Sequence, residues 1–227
     1  MRDKIIVNAA HRRRRNPAKT KEKILLAATR IFAQRGFDGA RVDRIAAASG
    51  VNKQLIYHYF GSKDALFTAV LESAYRSIRN EEASLDLDAL PADQAILRLV
   101  DFTWDHYLRN PYFIRLLNSE NQMEARHIRN SPSTREINAS HIAIMKKLLR
   151  RGRREGTVRH ELDPIQINVS IAALGFFYLI NQHTLSTVYQ HDLGCPAMLK
   201  KRLAVMKDII ACWIRPQPAA DNRSSIA

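Results

Sequence analysis

Apolar residues recur along this chain at the three- and four-residue intervals of amphipathic helices, and the segments they mark predict an all-α fold. Ile24, Ala28, Ile31 and Phe32 share one stripe of a first helix over about residues 20–35, which Gly36 is expected to end. Val42, Ile45, Ala46 and Ser49 mark a short second helix closed by Gly50, and Ile56 and Phe60, four apart, face inward from a short third. Ser62 is placed to cap a fourth helix in which Leu66, Val70 and Leu71 pack back, and which continues to about Ala83. Pro91 and the Asn110–Pro111 step bracket a fifth helix, Ala92–Arg109. A sixth follows over residues 112–123, with a polar loop at residues 129–132. The seventh starts near Ser133 and ends in the basic cluster of residues 146–154 before Gly156. Asp163 and Pro164 open an eighth that is apolar nearly all round through residue 180, so more than one surface must bury it, its own domain and a second subunit. After a loop at residues 191–196, Leu199, Leu203, Met206, Ile210 and Trp213 make the stripe of a last helix over residues 197–214.

The second and third helices, joined by a tight turn at Gly50, have the pattern of a helix-turn-helix DNA reader. With Ile56 and Phe60 inward, Lys53, Gln54, Tyr57 and His58 share the opposite face, a polar, cationic and aromatic surface suited to base edges and phosphates in a major groove. The surrounding residues resemble the tetracycline-repressor family from about Lys19 to Leu71. The matching blocks are A-A-T-R-I-F-A-Q-R-G-F from Ala27, D-R-I-A-A-A-S-G-V from Asp43, and L-I-Y-H-Y-F-G-S-K-D-A-L-F from Leu55. One departure is visible: Ala40-Arg41 stands where the family usually has a Thr or Ser cap. The helix is thus left without a hydroxyl at its N-terminus, and Arg41 is free to be used on DNA.

The resemblance implies an N-terminal three-helix DNA-binding domain and a C-terminal helical domain for ligand binding and dimerisation, with the last two long helices forming the subunit contact. It implies a homodimer, most simply a repressor released from a palindromic double-stranded DNA operator by a small organic effector. The DNA-reading set is then Arg41, Arg44, Lys53, Gln54, Leu55, Tyr57, His58 and Lys63, with Lys53 and Gln54 addressing bases and Tyr57 and Lys63 holding phosphates. The domain limits are residues 1–18 for a disordered basic arm, 19–65 for the DNA reader, 66–215 for the regulatory body and 216–227 for a disordered tail.

Charge sharpens this division. The 227 residues carry a net charge of +14, and residues 1–63 hold 15 Lys and Arg against 4 Asp and Glu, whereas the rest is nearly balanced. A basic head on an almost neutral body favours a DNA-binding domain over a uniformly basic protein. Two readings compete for the run Arg12, Arg13, Arg14 and Arg15: a solvated basic tail, or an arm in the minor groove. An architectural, effector-independent DNA binder is the alternative to a regulator.

Cys195 and Cys212 have neither metal-ligand spacing nor the numbers for a disulfide framework, and a reducing cytoplasm is expected. The start lacks a signal-peptide core, and the most apolar segment falls short of a bilayer span, so no membrane partner is expected. There is no glycine-rich phosphate loop, nucleophile elbow or H-E-x-x-H, so neither catalysis nor a cofactor is expected. His106, His127, His141 and His183 read as surface or hydrogen-bonded core histidines rather than metal ligands. For an effector pocket the candidates are Trp104, Tyr107 and Phe113 near the Pro111 break, Asn118, Asn121 and Arg126 after it, and Phe177, Asn181 and His183 on the eighth helix. Arg126 or His183 would suit a ligand carboxylate, and Glu120 a cation. The competing reading is that these aromatics are simply core.

Overall fold

The computed structural model describes residues 16–216, and among these it is helical throughout, with no strand. The arginine run at residues 12–15 and the tail beyond residue 216 lie outside the described residues. The helices are α1 (Pro17–Gly39), α2 (Val42–Ser49), α3 (Lys53–Phe60), α4 (Lys63–Ala83), α5 (Ala92–Arg109), α6 (Pro111–Gln122), α7 (Arg126–Arg129), α8 (Pro132–Glu155), α9 (Pro164–Ile180), α10 (Gln182–Val188) and α11 (Pro196–Ile214).

The head is built by local signals. Asn16 caps α1 by accepting from the amides of Ala18 and Lys19, and Pro17 follows in the first turn, so the helix starts earlier than its apolar stripe alone suggests. Gly36 ends the first helical run of α1 as expected: it takes φ 67°, ψ 178°, outside helical space, and a short further turn on a new heading continues to Gly39. Gly50, at φ 69°, closes α2 as expected, Asn52 caps α3 through the Leu55 amide at 2.7 Å, and Ser62 caps α4 through the Ala65 amide at 3.0 Å. Ile24, Ala28, Phe32, Ile45, Ile56, Leu66, Phe67 and Leu71 are all but fully buried in one core, each of the Ile, Leu and Phe side chains contributing about 1.5–3 kcal/mol of apolar burial. Leu116 of α6 belongs to the same core, so the head is keyed into the body, and the expected limit at residues 65–66 runs through a packed interior.

In the body, α5, α8, α9 and α11 enclose a second core around Ile96, Val100, Trp104, Met145, Leu148, Ile167, Met206 and Ile210. Ser131 caps α8 at the Thr134 amide. Gly152 of α8 passes so near Val158 and Ala92 that a Cβ there would stand 2.5 Å from a Val158 methyl.

The last helices divide their apolar positions between two faces. The stripe of Met206 and Ile210 on α11, with Leu199 and Leu203 packed against it, faces this chain's own core. A different face is open: on α9, Ile165, Val169 and Phe177 are 52%, 55% and 59% exposed, and on α11, Val205 and Ile209 are 40% and 43% exposed. α9 is therefore apolar all round although this chain covers only one of its sides. No single described helix is long and apolar enough to cross a membrane, and α9 and α10, which pass that test only together, are bent by 67°.

Candidate DNA-reading surface and body cavities

The Asn52 cap and the Gly50 turn set α3 across α2 with Ile56 buried, which turns Lys53, Gln54, Tyr57 and His58 to solvent on one face and leaves Leu55 half-buried at its edge. Arg41 and Arg44 are exposed at the start of α2, whose N-terminus has no side-chain cap, in keeping with the missing hydroxyl. The Lys53 ammonium lies 3.0 Å from Asp43 of α2, and the hydrogen bond and charge of that carboxylate raise its pKa. The pair ties the two helices across the turn, and Lys53 must leave it to reach a base. Lys63 is placed differently from the rest: its ammonium sits 4.5 Å from the centre of the Phe37 ring and donates to the Asp38 carbonyl, away from the α3 face.

The candidate pocket residues scatter. Trp104 is buried against Tyr178, and Tyr107 and Phe113 stack on each other at 6.0 Å in a small core of their own. Asn118 is half-buried, Asn121 and Phe177 are exposed, and Asn181 donates to the Phe177 carbonyl beside the break between α9 and α10. Arg126 is ion-paired with Asp64, and Glu120 is fully engaged within the fold, so neither waits for a ligand. A cavity of about 230 Å³ does open between α5, α6, α9 and α10. Of the candidates, only Tyr107 and His183 line it; the others on its wall are Leu108, Pro111, Ile114, Arg115, Leu179, Ile180 and Gln182. Pro111, Ile114 and Arg115 stand at helical spacing on α6, a signal that a search for aromatics passes over.

Tyr107 also walls a small inner chamber of about 30 Å³ with Arg79, Glu82, Thr103, His141 and Asn168. Burial pushes the Tyr107 hydroxyl up to about 12. Burial alone would raise the Glu82 carboxyl as well, but the hydrogen bond from His141 at 2.7 Å and the charge of Arg79 outweigh it and hold the group below its usual range. The Asn168 amide nitrogen is buried there without a hydrogen-bond partner. His106 is 1% exposed, 3.3 Å from Glu81, and burial holds its pKa down. His106, His127 and His141 are thus hydrogen-bonded histidines, and His183 lies exposed on the rim of the larger cavity.

Head and body meet at a third polar cluster, which the sequence did not disclose. The Gly36 break leaves the Phe37 amide without a helical acceptor, and Ser119 Oγ of α6 accepts from it at 3.1 Å in a buried bond. Glu120 caps α7, its Oε1 accepting from the amides of His127 and Ile128 at 2.7 and 3.0 Å, while Oε2 lies 2.7 Å from His127 Nδ1. The carboxylate only accepts, so Nδ1 carries the proton of that bond. The His127 ring packs at 4.7 Å on Phe37 and 4.8 Å on Phe67. Its Nε2 is buried without a hydrogen bond, 3.4 Å from Asp64 at the start of α4. Reaching this arrangement takes two successive non-glycine residues in the left-handed region, Glu124 and Ala125, at a cost of about 1–3 kcal/mol each.

Comparison with known proteins agrees with this architecture. Residues 24–70 match the model for bacterial regulatory proteins of the tetR family, and residues 93–210 match that for the tetracyclin repressor-like C-terminal domain. The transcriptional repressor NicS of Pseudomonas putida is 36% identical over 176 residues, 78% of this chain and 83% of its own. The repressor SCO4008 of Streptomyces coelicolor is 42% identical over 103 residues, 45% of this chain and 50% of its own. Among solved structures, the regulator SCO4942 of Streptomyces coelicolor superposes with a TM-score of 0.65 at 26% identity, over 86% of this chain and 98% of that one. FadR of Bacillus subtilis, solved with stearoyl-CoA, shares the fold at 17% identity, with a TM-score of 0.63 over 86% of this chain and 99% of its own.

Proposed function

Because the chain belongs to the tetracycline-repressor family of bacterial transcriptional regulators, we propose that it acts as a homodimeric repressor whose hold on a palindromic operator is relaxed by a small organic effector bound in the body. The observation that carries this reading is the pairing of two open surfaces on one chain: the polar face of α3, and the apolar face of α9 and α11. Joining two copies through the second presents two copies of the first, and a two-fold axis between them calls for half-sites about one turn of DNA apart, near 34–36 Å. Gln54 and Lys53 read base edges, Tyr57, Arg41 and Arg44 hold phosphates, and His58 flanks them.

The cavity beside Tyr107 and His183 is the place for the effector, since it abuts α6, which is also seated in the head core through Leu116, the residue after the cavity-lining Arg115. A ligand that prefers a body conformation with the wrong head separation weakens operator binding by its differential affinity for that state. The test is to select the binding site from random DNA and then screen metabolites for release of the bound protein. A single enriched inverted repeat, released by an effector whose own affinity falls by the same factor in the presence of operator, is the expected result. Equal affinity for all duplexes would instead identify an architectural DNA binder.

A further inference from the structure

We infer that His127 is a specificity-determining residue of operator recognition, acting by position: it locks the head to the body and so fixes the half-site spacing that the dimer accepts. The inference rests on the operator-binding reading above. It starts from the site of the lock. α4 leaves the head as a rod, and without lateral support its first turn is free to pivot under the DNA-reading helices. His127 supplies that support from the other side of the boundary. Nδ1 is held by Glu120 of α6 at 2.7 Å, the ring is clamped between Phe37 of α1 and Phe67 of α4, and Nε2 is aimed at Asp64 in the first turn of α4 at 3.4 Å. One side chain therefore touches both helices that orient the head and the helix that lines the body cavity.

Two independent features show that the backbone is bent to put it there. Glu124 and Ala125 are held left-handed, so that the chain doubles back and the amides of His127 and Ile128 meet the Glu120 carboxylate. Ser119, the neighbour of Glu120, holds the Phe37 amide that the Gly36 break exposes, fixing the ring on which His127 packs. Glu120 and His127 are nearly solvent-free, so the bond between them is not traded for water, whereas the Arg126–Asp64 pair on the outside is exposed and readily exchanged. The buried bond thus fixes the imidazole within the body in one geometry, and its packing on Phe37 and Phe67, beside the Ser119–Phe37 amide bond, carries that position to the head.

The measurement is operator affinity as a function of spacing, made with the full-length protein on the selected operator and on versions with one base pair inserted or removed between the half-sites. A changed spacing both separates and rotates the half-sites, so the wild type should lose at least about tenfold for either change. His127→Ala should lose roughly threefold or less, because its heads can adjust. His127→Asn, which keeps an amide nitrogen near the place of Nδ1, should restore most of the discrimination. A purely structural role would lower affinity for every spacing by one factor and leave the ratios alone. Wild-type ratios in His127→Ala overturn the proposal, and so does a loss of discrimination in His127→Asn as complete as in His127→Ala. Should His127→Ala fail to fold, His127→Leu keeps a buried side chain of similar bulk while removing the bond to Glu120, and unchanged ratios there overturn it equally. If no operator is selected at all, the repressor reading fails first; an operator bound with ordinary discrimination by these variants removes only the lock.

Discussion

Phe177 of α9 offers the sharpest test of the subunit contact, because it is the most exposed apolar side chain on the α9–α11 face and takes no part in this chain's cores. It leaves 59% of its surface open. A phenylalanine side chain offers roughly 200 Å², so about 120 Å² per copy is free to enter a contact, and at ~25 cal/mol/Å² burying it contributes about 3 kcal/mol. A two-fold interface counts each substitution twice, which sets an upper limit of about 6 kcal/mol. The Cβ retained in Phe177→Ala and local relaxation reduce this to about 4 kcal/mol, a dimer roughly 10³-fold weaker. Sedimentation equilibrium over a range of concentrations reads the dimer constant, thermal melting reports whether the monomer stays folded, and operator titration should show affinity falling with dimer fraction. Ile210→Ala is the control, since Ile210 is wholly buried in its own subunit and its truncation should cost about 2–5 kcal/mol of folding stability instead. A Phe177→Ala protein with the wild-type dimer constant would refute the assignment of this face.

Gln54→Ala is expected to relax preference at one operator position by about 1–3 kcal/mol while leaving the others intact, as read from binding to a set of single-base operator variants; a uniform loss would move Gln54 to the phosphates. Gly152→Ala places a methyl group 2.5 Å from a Val158 methyl and should cost about 1–3 kcal/mol of stability in denaturant titration, with no specific effect on DNA. Stability should fall with acid in two stages. His106, held by burial below its usual 6.5, is neutral in the fold, so the unfolded chain gains the proton first and stability declines as pH drops below about 6.5. Glu82, held below its usual 4.5 by His141 and Arg79 against the pull of burial, contributes stability at higher pH that is lost as pH falls from about 4.5 through its folded value. His106→Gln should flatten the first stage, and a melting temperature that stays constant through both windows would contradict the two assignments.

The head was legible in the sequence because its signals are local. Gly50 and Ser62 set a turn and a cap within a few residues of where they stand, and α4 and α5 end where the pattern ends them. Gly36 breaks the first helix as its type suggests, but the turn that follows to Gly39 shows the limit of such signals, because its Phe37 amide is accepted by Ser119, eighty-two positions further on. The short α7 and α10 escaped for a related reason. Neither is announced by glycine or proline, and α7 exists through the side chain of Glu120 rather than through its own four residues. Apolar periodicity located α9 and α11 but did not separate the core stripe of α11 from its exposed Val205 and Ile209, since spacing tells which positions avoid water and not what covers them. The pocket candidates were chosen by residue type, and type alone did not distinguish Trp104 in the core from Tyr107 on a cavity wall.

The length of α4 sets the mechanical tolerance of the whole molecule. Its 21 residues make a lever of about 32 Å at 1.5 Å per residue. A rotation of only about 6° at its far end carries the head through roughly 3.4 Å, the rise of one base pair, and in the proposed two-fold dimer the error between half-sites would double. Thermal wobble of a few degrees at the base of such a lever would therefore blur the operator as thoroughly as an inducer would release it. A repressor built on this lever, as proposed above, needs stiffness at the pivot before it can have sensitivity in the body, and a ligand would act on it by exchanging one stiff setting for another.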